Sequence, residues 1–164
     1  MILGAHRDAR VVELTSDEAQ HLFEVRASVD PLACALAAER RTSDDIGRID
    51  AALRELAPLT GSPSSEALDA HRGFHRAIYL AAGNPILLGM LDSIWDKGDL
   101  YRRRALSERT PSTEDKARVH RQHQELRDAI RDGDKEAARS LSYAHITHSL
   151  GRRAIGLLDA APDD

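Results

Sequence analysis

Apolar residues recur every three or four positions along most of the chain, which is the spacing of one face of an α-helix. Thr15 can cap the first helix, with Glu18 three residues on, as a capping box requires. Pro31 then interrupts the apolar pattern. We therefore predict two consecutive helices, or one kinked helix, from this cap to about Arg41.

Capping and breaking residues divide the rest of the sequence into further helices. The predicted segments run from 43 to the break at Pro58, and then over about 65–82, 85–107, 110–133 and 134–158. There is no credible strand signal and no internal repeat, and the connecting loops are short. The sequence thus predicts an all-α fold, an antiparallel bundle of six or seven helices, in one domain at residues 14–159. Residues 1–13 are predicted to be a linker or remnant, and 160–164 a disordered tail.

Composition and charge narrow the class of protein. The chain has 164 residues, 30% of them charged, and a net charge of -4. Domains that bind nucleic-acid phosphates are usually basic, so the negative net charge argues against that role. The one tight basic cluster, residues 102–104, is interpreted as a solvated helix face. No stretch approaches the roughly 18 apolar residues needed to cross a bilayer. The single cysteine, Cys34, lies in an apolar stretch and is interpreted as inert packing. We expect a cytoplasmic protein without membrane association.

Histidines supply the candidate chemistry. Eight are many for this length, and four of them fall on apolar helix stripes. His71 and His75 are four residues apart, so both imidazoles project from one face of the same helix. His123 and His145 lie on the apolar stripes of two later helices. A lone histidine on such a stripe is usually a satisfied core residue, but four buried imidazoles need many partners, and a shared metal satisfies several together. We predict that these four residues bind one metal.

The ligand set limits the choice of metal. Four nitrogen ligands suit a divalent transition metal rather than magnesium or calcium, which prefer oxygen. Zinc is the expected metal, with nickel, iron, copper or manganese as alternatives. Tetrahedral zinc on all four histidines would form a closed structural site, whereas five or six ligands would leave a position for water or a carboxylate. His148, one turn after His145, is a candidate to line the same cavity without binding metal.

Three groups of motifs are similar to blocks of one known family. They are Glu24-Val25-Arg26 with Asp30-Pro31-Leu32-Ala33, Phe74-His75-Arg76-Ala77-Ile78 with Ala81-Ala82-Gly83-Asn84-Pro85, and His123-Gln124-Glu125-Leu126 with Gly133-Asp134. Together they resemble the FCD domain, the C-terminal effector-binding domain of one large branch of GntR-type transcriptional regulators. The resemblance covers roughly residues 14–150, and it implies a bundle of six or seven helices.

The resemblance also implies a metal held by one aspartate and three histidines, beneath a cavity for small organic acids. The three histidines correspond to His75, His123 and His145, and the aspartate falls on His71. A fourth neutral imidazole makes the site one charge more positive. We expect this departure to change the preferred metal or to tighten the binding of an anion.

Two arginines are candidate ligands for an effector carboxylate. In the family, arginines on the first helix often contact the effector, and Arg26 occupies the matching position. A guanidinium can hold a carboxylate through two hydrogen bonds while a metal takes another oxygen. A structural ion pair between Arg26 and a nearby Asp or Glu is an equally good interpretation. Arg102, on the helix predicted at 85–107, is a weaker candidate for the pocket.

The function implied by the resemblance is the sensing of a small organic carboxylate by a metal-containing domain. GntR-type regulators carry an N-terminal winged helix-turn-helix, and Met1 begins where that module would be ending, so we expect no direct DNA binding by this chain. The family tends to dimerise, so a homodimer is possible. The alternative is a metal-dependent enzyme, a lyase, isomerase or hydrolase of a small organic acid. No carboxylate is clearly placed as a general base for it, and nothing singles out His148 or Tyr79.

Overall fold

Seven α-helices make up the computed structural model, which describes residues 14–159. They are α1 (Ser16–Arg40), α2 (Ser43–Glu55), α3 (Ser65–Ala81), α4 (Pro85–Glu108), α5 (Thr113–Asp132), α6 (Lys135–Thr147) and α7 (Leu150–Asp159). No strand occurs in this range, so the predicted all-α bundle is confirmed. The predicted linker at 1–13 and tail at 160–164 lie outside the described residues.

The first helix is continuous and central. α1 runs through Pro31, so the alternative of two consecutive helices is wrong. Proline removes one backbone hydrogen-bond donor from the helix. The packing of α1 against α3, α4, α5, α6 and α7 compensates for that loss. The alanines on its buried face, such as Ala33 and Ala37, are fully shielded from solvent and let these neighbours approach closely.

Side-chain caps set most of the helix boundaries near their predicted places. Thr15 caps α1 by accepting a hydrogen bond from the Glu18 amide at 3.2 Å. Thr42 caps α2 just before its predicted start at residue 43, and the Asp45 carboxylate completes a reciprocal capping box. Gly133 ends α5 with φ of 76°, a left-handed conformation that favours glycine.

The last predicted helix, 134–158, is two helices in the structure. α6 ends at Thr147 and α7 begins at Leu150. The Thr147 hydroxyl donates back to the carbonyl oxygen of Tyr143 at 2.9 Å, and the Ser149 hydroxyl accepts from the Arg152 amide at 3.2 Å. These side chains satisfy helix-end groups locally, so the break is stable even though the apolar spacing continues across it.

The main core lies between α1, α3, α4 and α5 and forms one side of the histidine site. Its largest buried members include Phe74, Ile78, Trp95 and Leu126. Cys34 is buried in this core as predicted, and burial raises the pKa of its thiol to about 12. Within the described residues, no helix is long and apolar enough to span a membrane.

Candidate metal centre

The four predicted histidines come together in one buried cluster. His71 and His75 extend from α3, His123 from α5 and His145 from α6. One nitrogen of each ring lies within 4.8 Å of the corresponding nitrogens of the other three. The exposed fractions of the residues are 7%, 3%, 3% and 9% in chain order. This is the arrangement that the helical stripes predicted.

Packing against aromatic side chains holds the imidazoles in place. The ring centroids of His123 and His145 are 4.7 Å apart, and those of His75 and His123 are 5.2 Å apart. Phe74 packs edge-on against His123 at 5.0 Å, and Trp95 lies 5.2 Å from His75. Asp69, two residues before His71, is exposed, so it contributes no carboxylate to the cluster.

All four imidazoles are neutral near physiological pH. Burial is the main cause, because it penalises the charged form of each ring. Burial, with smaller contributions from His120 and Arg102, lowers the pKa of His123 to about 3. Burial also holds the pKa of His71, His75 and His145 well below the ordinary value, with the positive potential of neighbouring groups acting in the same direction. A neutral imidazole keeps a lone pair on one nitrogen, as metal binding requires.

Three of the cluster nitrogens have no hydrogen-bond partner in the described structure. They are Nδ1 of His71, Nε2 of His75 and Nε2 of His123, all shielded from solvent. On His145, Nδ1 lies 3.1 Å from the side-chain oxygen Oε1 of Gln122. Buried polar atoms without partners are uncommon and costly, so nitrogens that face one another in a group are well suited to share a cation.

Arg26 lies beside the cluster in a buried ion pair. Its Nε donates to the Asp30 carboxylate at 3.0 Å, and both side chains are almost fully buried. Tyr79 also donates to Asp30 and accepts a hydrogen bond from the Trp95 indole at 3.2 Å. Burial disfavours the Arg26 cation, but Asp30 and Tyr79 outweigh it and raise the pKa of Arg26. The contacts of Arg26 therefore agree with its interpretation as part of a structural ion pair. The residue also lines the cavity.

Arg102 is buried as well, so its interpretation as part of a solvated face is wrong. Only 4% of the residue is exposed, whereas Arg103 and Arg104 do face solvent. Its guanidinium lies 4.7 Å from the Trp95 ring centroid and donates to Asp99 on the same helix. Burial lowers the pKa of Arg102 to about 10. The spacing of apolar residues alone does not show that the first arginine of this run is buried while the next two are exposed.

A small cavity of about 70 Å³ adjoins the histidines, Arg26, Arg102 and Trp95. The exposed rings of His120 and His148 also line it, and Nδ1 of His148 lies 2.8 Å from the Ala144 carbonyl oxygen. The sequence pattern does not indicate that Trp95, Gln122 and Asp115 contribute to the cavity wall. Burial and cross-helix contacts, which no local spacing reports, are what reveal them.

Asp115 carries the single carboxylate among the described residues that line this cavity. Arg118 donates to it at 2.7 Å and Arg153 at 3.3 Å. The hydrogen bond from Arg153, together with those from Ser112 and Arg118, holds the pKa of Asp115 well below its ordinary value. This carboxylate therefore already accepts hydrogen bonds in its ion pairs with Arg118 and Arg153 and in the capping box of α5.

A helical bundle that encloses a small cavity, with buried imidazoles and two buried guanidinium groups on its wall, defines a small-molecule-binding domain. The particular family follows from the sequence match: the chain belongs to the FCD domain family, over residues 21–148. This match confirms the resemblance seen in the motifs, and with it the assignment as an effector-sensing domain of GntR-type regulators.

Two relatives that the chain matches are named as transcriptional repressors. The chain is 32% identical over 134 residues to the galactonate operon transcriptional repressor of Escherichia coli strain K12, covering 80% of this chain and 56% of the relative. It is 29% identical over 142 residues to the HTH-type transcriptional repressor GlaR of the same strain, covering 84% of this chain and 64% of the relative. The chain therefore spans less than two thirds of the length of either relative.

Solved structures agree on the fold. The structure of E. coli McbR/YncC superposes with a TM-score of 0.68 at 21% identity, covering 90% of this chain and 66% of that one. The metal-free FCD domain of TM0439 superposes with a TM-score of 0.59, also at 21% identity, covering 91% of this chain and 99% of that one.

Proposed function

We propose that this domain senses a small organic carboxylate through a divalent transition metal held by His71, His75, His123 and His145. The observation that carries the proposal is the group of buried, unpartnered nitrogens on three of these rings. Zinc is the expected metal, because it accepts imidazole ligands readily, and nickel, iron, copper or manganese are alternatives.

The residues fit such a metal in number, chemistry and spacing. Metal–nitrogen bonds are about 2.0–2.1 Å long, so two nitrogens on one ion stand at most about 4.2 Å apart. The nitrogens of the cluster lie within 4.8 Å of one another, so small side-chain movements would complete the site. When bound, the metal supplies a Lewis-acidic position for an anionic oxygen.

Charge balance supports an anionic effector. Four neutral imidazoles leave the charge of a divalent ion uncompensated, whereas Arg26 is paired with Asp30 and Arg102 with Asp99. In a buried cavity this excess positive charge is costly, and an effector carboxylate would reduce it. Arg102 is the better placed of the two arginines to donate to the effector, because Arg26 already uses two of its nitrogens on Asp30. His148 would contact the same ligand from the cavity mouth.

Cavity size limits the effector. A volume of about 70 Å³ corresponds to about two water molecules, at the roughly 30 Å³ that each takes up in the liquid. The galactonate operon repressor makes hydroxy acids a reasonable class to screen, but this cavity favours compounds with few non-hydrogen atoms. We further propose that the bound acid alters repression by a GntR-type regulator, and that the chain acts in the cytoplasm as a homodimer.

The first experiment is elemental analysis of tag-free protein, beside His75→Ala, His123→Ala and the exposed control His21→Ala. We expect about one equivalent of a transition metal in the wild type and in the control, and none in the two cluster variants. A wild type that stays metal-free after reconstitution would refute the metal site.

Carboxylates of two to six carbons are then screened by thermal shift on the metal-loaded protein. A stabilising acid that is recovered unchanged after prolonged incubation supports sensing. Consumption of the acid, abolished by His75→Ala, would instead support the alternative of a metal-dependent lyase, isomerase or hydrolase. Within the described residues, the ion pairs of the Asp115 carboxylate disfavour that alternative, because they leave no free carboxylate at the cavity wall to act as a general base.

A further inference from the structure

Gln122 connects two of the helices that build the histidine cluster. Its side-chain oxygen Oε1 lies 3.1 Å from Nδ1 of His145. Gln122 belongs to α5 and directly precedes His123, whereas His145 lies in the last turn of α6. The contact therefore joins the end of α6 to the helix that supplies another member of the cluster.

We propose that Gln122 is a positioning residue that sets the tautomer of His145 and so presents Nε2 of that ring to the metal. With the amide oxygen of Gln122 facing the ring, Nδ1 of His145 carries the proton and donates it, because an amide oxygen can only accept a hydrogen bond. The lone pair is then on Nε2, the one remaining ring nitrogen. The metal-binding consequence rests on the function proposed above, but the tautomer itself does not.

His145 differs from the other three rings in having this partner. The other cluster histidines each have a buried nitrogen without a hydrogen bond, and the rings of His71 and His75 project from the middle of α3. α6 ends two residues after His145, where its last turn has fewer backbone hydrogen bonds to fix the side chain. The hydrogen bond that His145 donates to Gln122 of α5 orients the ring where the helix end does not.

The choice of an amide also affects the charge of the site. Many metal-binding histidines donate their second nitrogen to a carboxylate, which raises the basicity of the ligand. Gln122 orients the ring without adding negative charge, so the loaded site keeps its full attraction for an anion. Gln122→Glu should consequently strengthen metal binding while it weakens binding of a carboxylate to the loaded protein.

The tautomer can be measured without metal. Long-range ¹H–¹⁵N spectra of metal-free protein labelled at histidine distinguish a protonated ring nitrogen from an unprotonated one. We expect His145 to be protonated at Nδ1 in the wild type and in the control Gln124→Leu, which alters an exposed residue of the same helix. We expect Gln122→Leu to lose that preference. An Nε2-protonated His145 in the wild type would overturn the proposal.

Calorimetric titration with zinc tests the consequence. Gln122→Leu should bind zinc about 10- to 100-fold more weakly than the wild type, the range typical of lost outer-shell partners. Gln122→Glu should bind at least as tightly as the wild type, and its malonate affinity when loaded should fall several-fold. Gln124→Glu, which adds the same charge at an exposed position, should match the wild type in both.

The outcomes separate the two proposals. If the wild type binds zinc and Gln122→Leu binds it equally well, the role of Gln122 is refuted and the metal site stands. If the wild type binds no metal, the proposed function fails, and the NMR measurement still decides whether Gln122 sets the tautomer. A folding defect in Gln122→Leu is recognised by its melting curve, and Gln122→Glu then provides the test through its opposite effects on zinc and malonate.

Discussion

His71 lies one helical turn before His75, and their ring centroids are 5.0 Å apart in the core of the bundle. The resemblance to the FCD family places an aspartate at the position of His71. A histidine at this position keeps a metal-binding side chain but lacks the negative charge of the aspartate. We therefore expect the charge of the loaded site, rather than its number of ligands, to distinguish this chain from the family pattern.

Replacing His71 with aspartate tests this effect of charge. The variant His71→Asp should still bind one metal, because carboxylate oxygen is also a metal ligand. Its affinity for malonate when loaded should fall about tenfold or more, since the aspartate adds one negative charge within a buried cavity. Calorimetry on loaded protein measures this change, and His21→Asp at an exposed position provides the control. Equal malonate affinity in both variants would contradict the charge argument.

Arg102 is expected to contribute directly to carboxylate binding. Replacing it in Arg102→Gln removes charge-assisted hydrogen bonds worth about 1.5–3 kcal/mol, so affinity should fall about 10- to 100-fold. The metal content should not change, because the guanidinium is not a metal ligand. Arg103→Gln, at the exposed neighbouring position, should leave both quantities as in the wild type. Matched losses in the two variants would point to the overall charge of the helix rather than to a contact.

The stability of the metal-free protein should fall as the pH is lowered below about 6.5. Histidines with a lowered pKa in the folded state contribute stability fully above the unfolded-state pKa, near 6.5. That contribution is lost as the pH falls toward the folded-state pKa, which is about 3 for His123. Each buried histidine adds up to about 1.4 kcal/mol per pH unit to the slope.

Urea unfolding at several pH values between 7 and 4.5 measures that slope. His71→Leu should make it shallower by the increment of one histidine, while Gln124→Leu, which removes no ionisable group, should reproduce the wild-type slope. A wild-type slope retained in His71→Leu would show that this ring binds a proton as readily in the folded state as in the unfolded state.

The buried pair of Arg26 and Asp30 should be important for stability. Asp30→Asn leaves a guanidinium buried without its counter-ion, which costs about 3–5 kcal/mol. Asp92→Asn breaks an exposed ion pair with Arg76 and should cost no more than about 1 kcal/mol. Urea unfolding of both variants provides the comparison. Similar losses would mean that the cavity is wetter than its burial indicates.

The helices and the histidine cluster could be predicted because both follow from local spacing. An apolar stripe fixes which face of a helix is buried, and His71, His75, His123 and His145 lie on such stripes. The break between α6 and α7 could not be predicted in this way, since it depends on hydroxyl groups of Thr147 and Ser149 that compete with the helix backbone.

The environment of the cluster required the three-dimensional structure. Arg26 and Asp30 have helical i, i+4 spacing, but only packing shows that their ion pair is buried. Gln122 contacts His145 because α5 and α6 lie side by side, and nothing in its neighbouring residues indicates this. Gly98 is a further example: a Cβ there would lie 3.4 Å from Nη1 of Arg26, so its small size leaves room for the guanidinium.

Trp95 packs 5.2 Å from His75 and is the one tryptophan of the chain. Its fluorescence therefore comes entirely from the wall of the cavity, without background from elsewhere in the molecule. A paramagnetic ion such as Cu²⁺ held by the histidines would quench this emission at such short range, whereas Zn²⁺ would not. Tryptophan fluorescence of the unlabelled protein can consequently report whether the site is occupied, and whether the bound ion is paramagnetic.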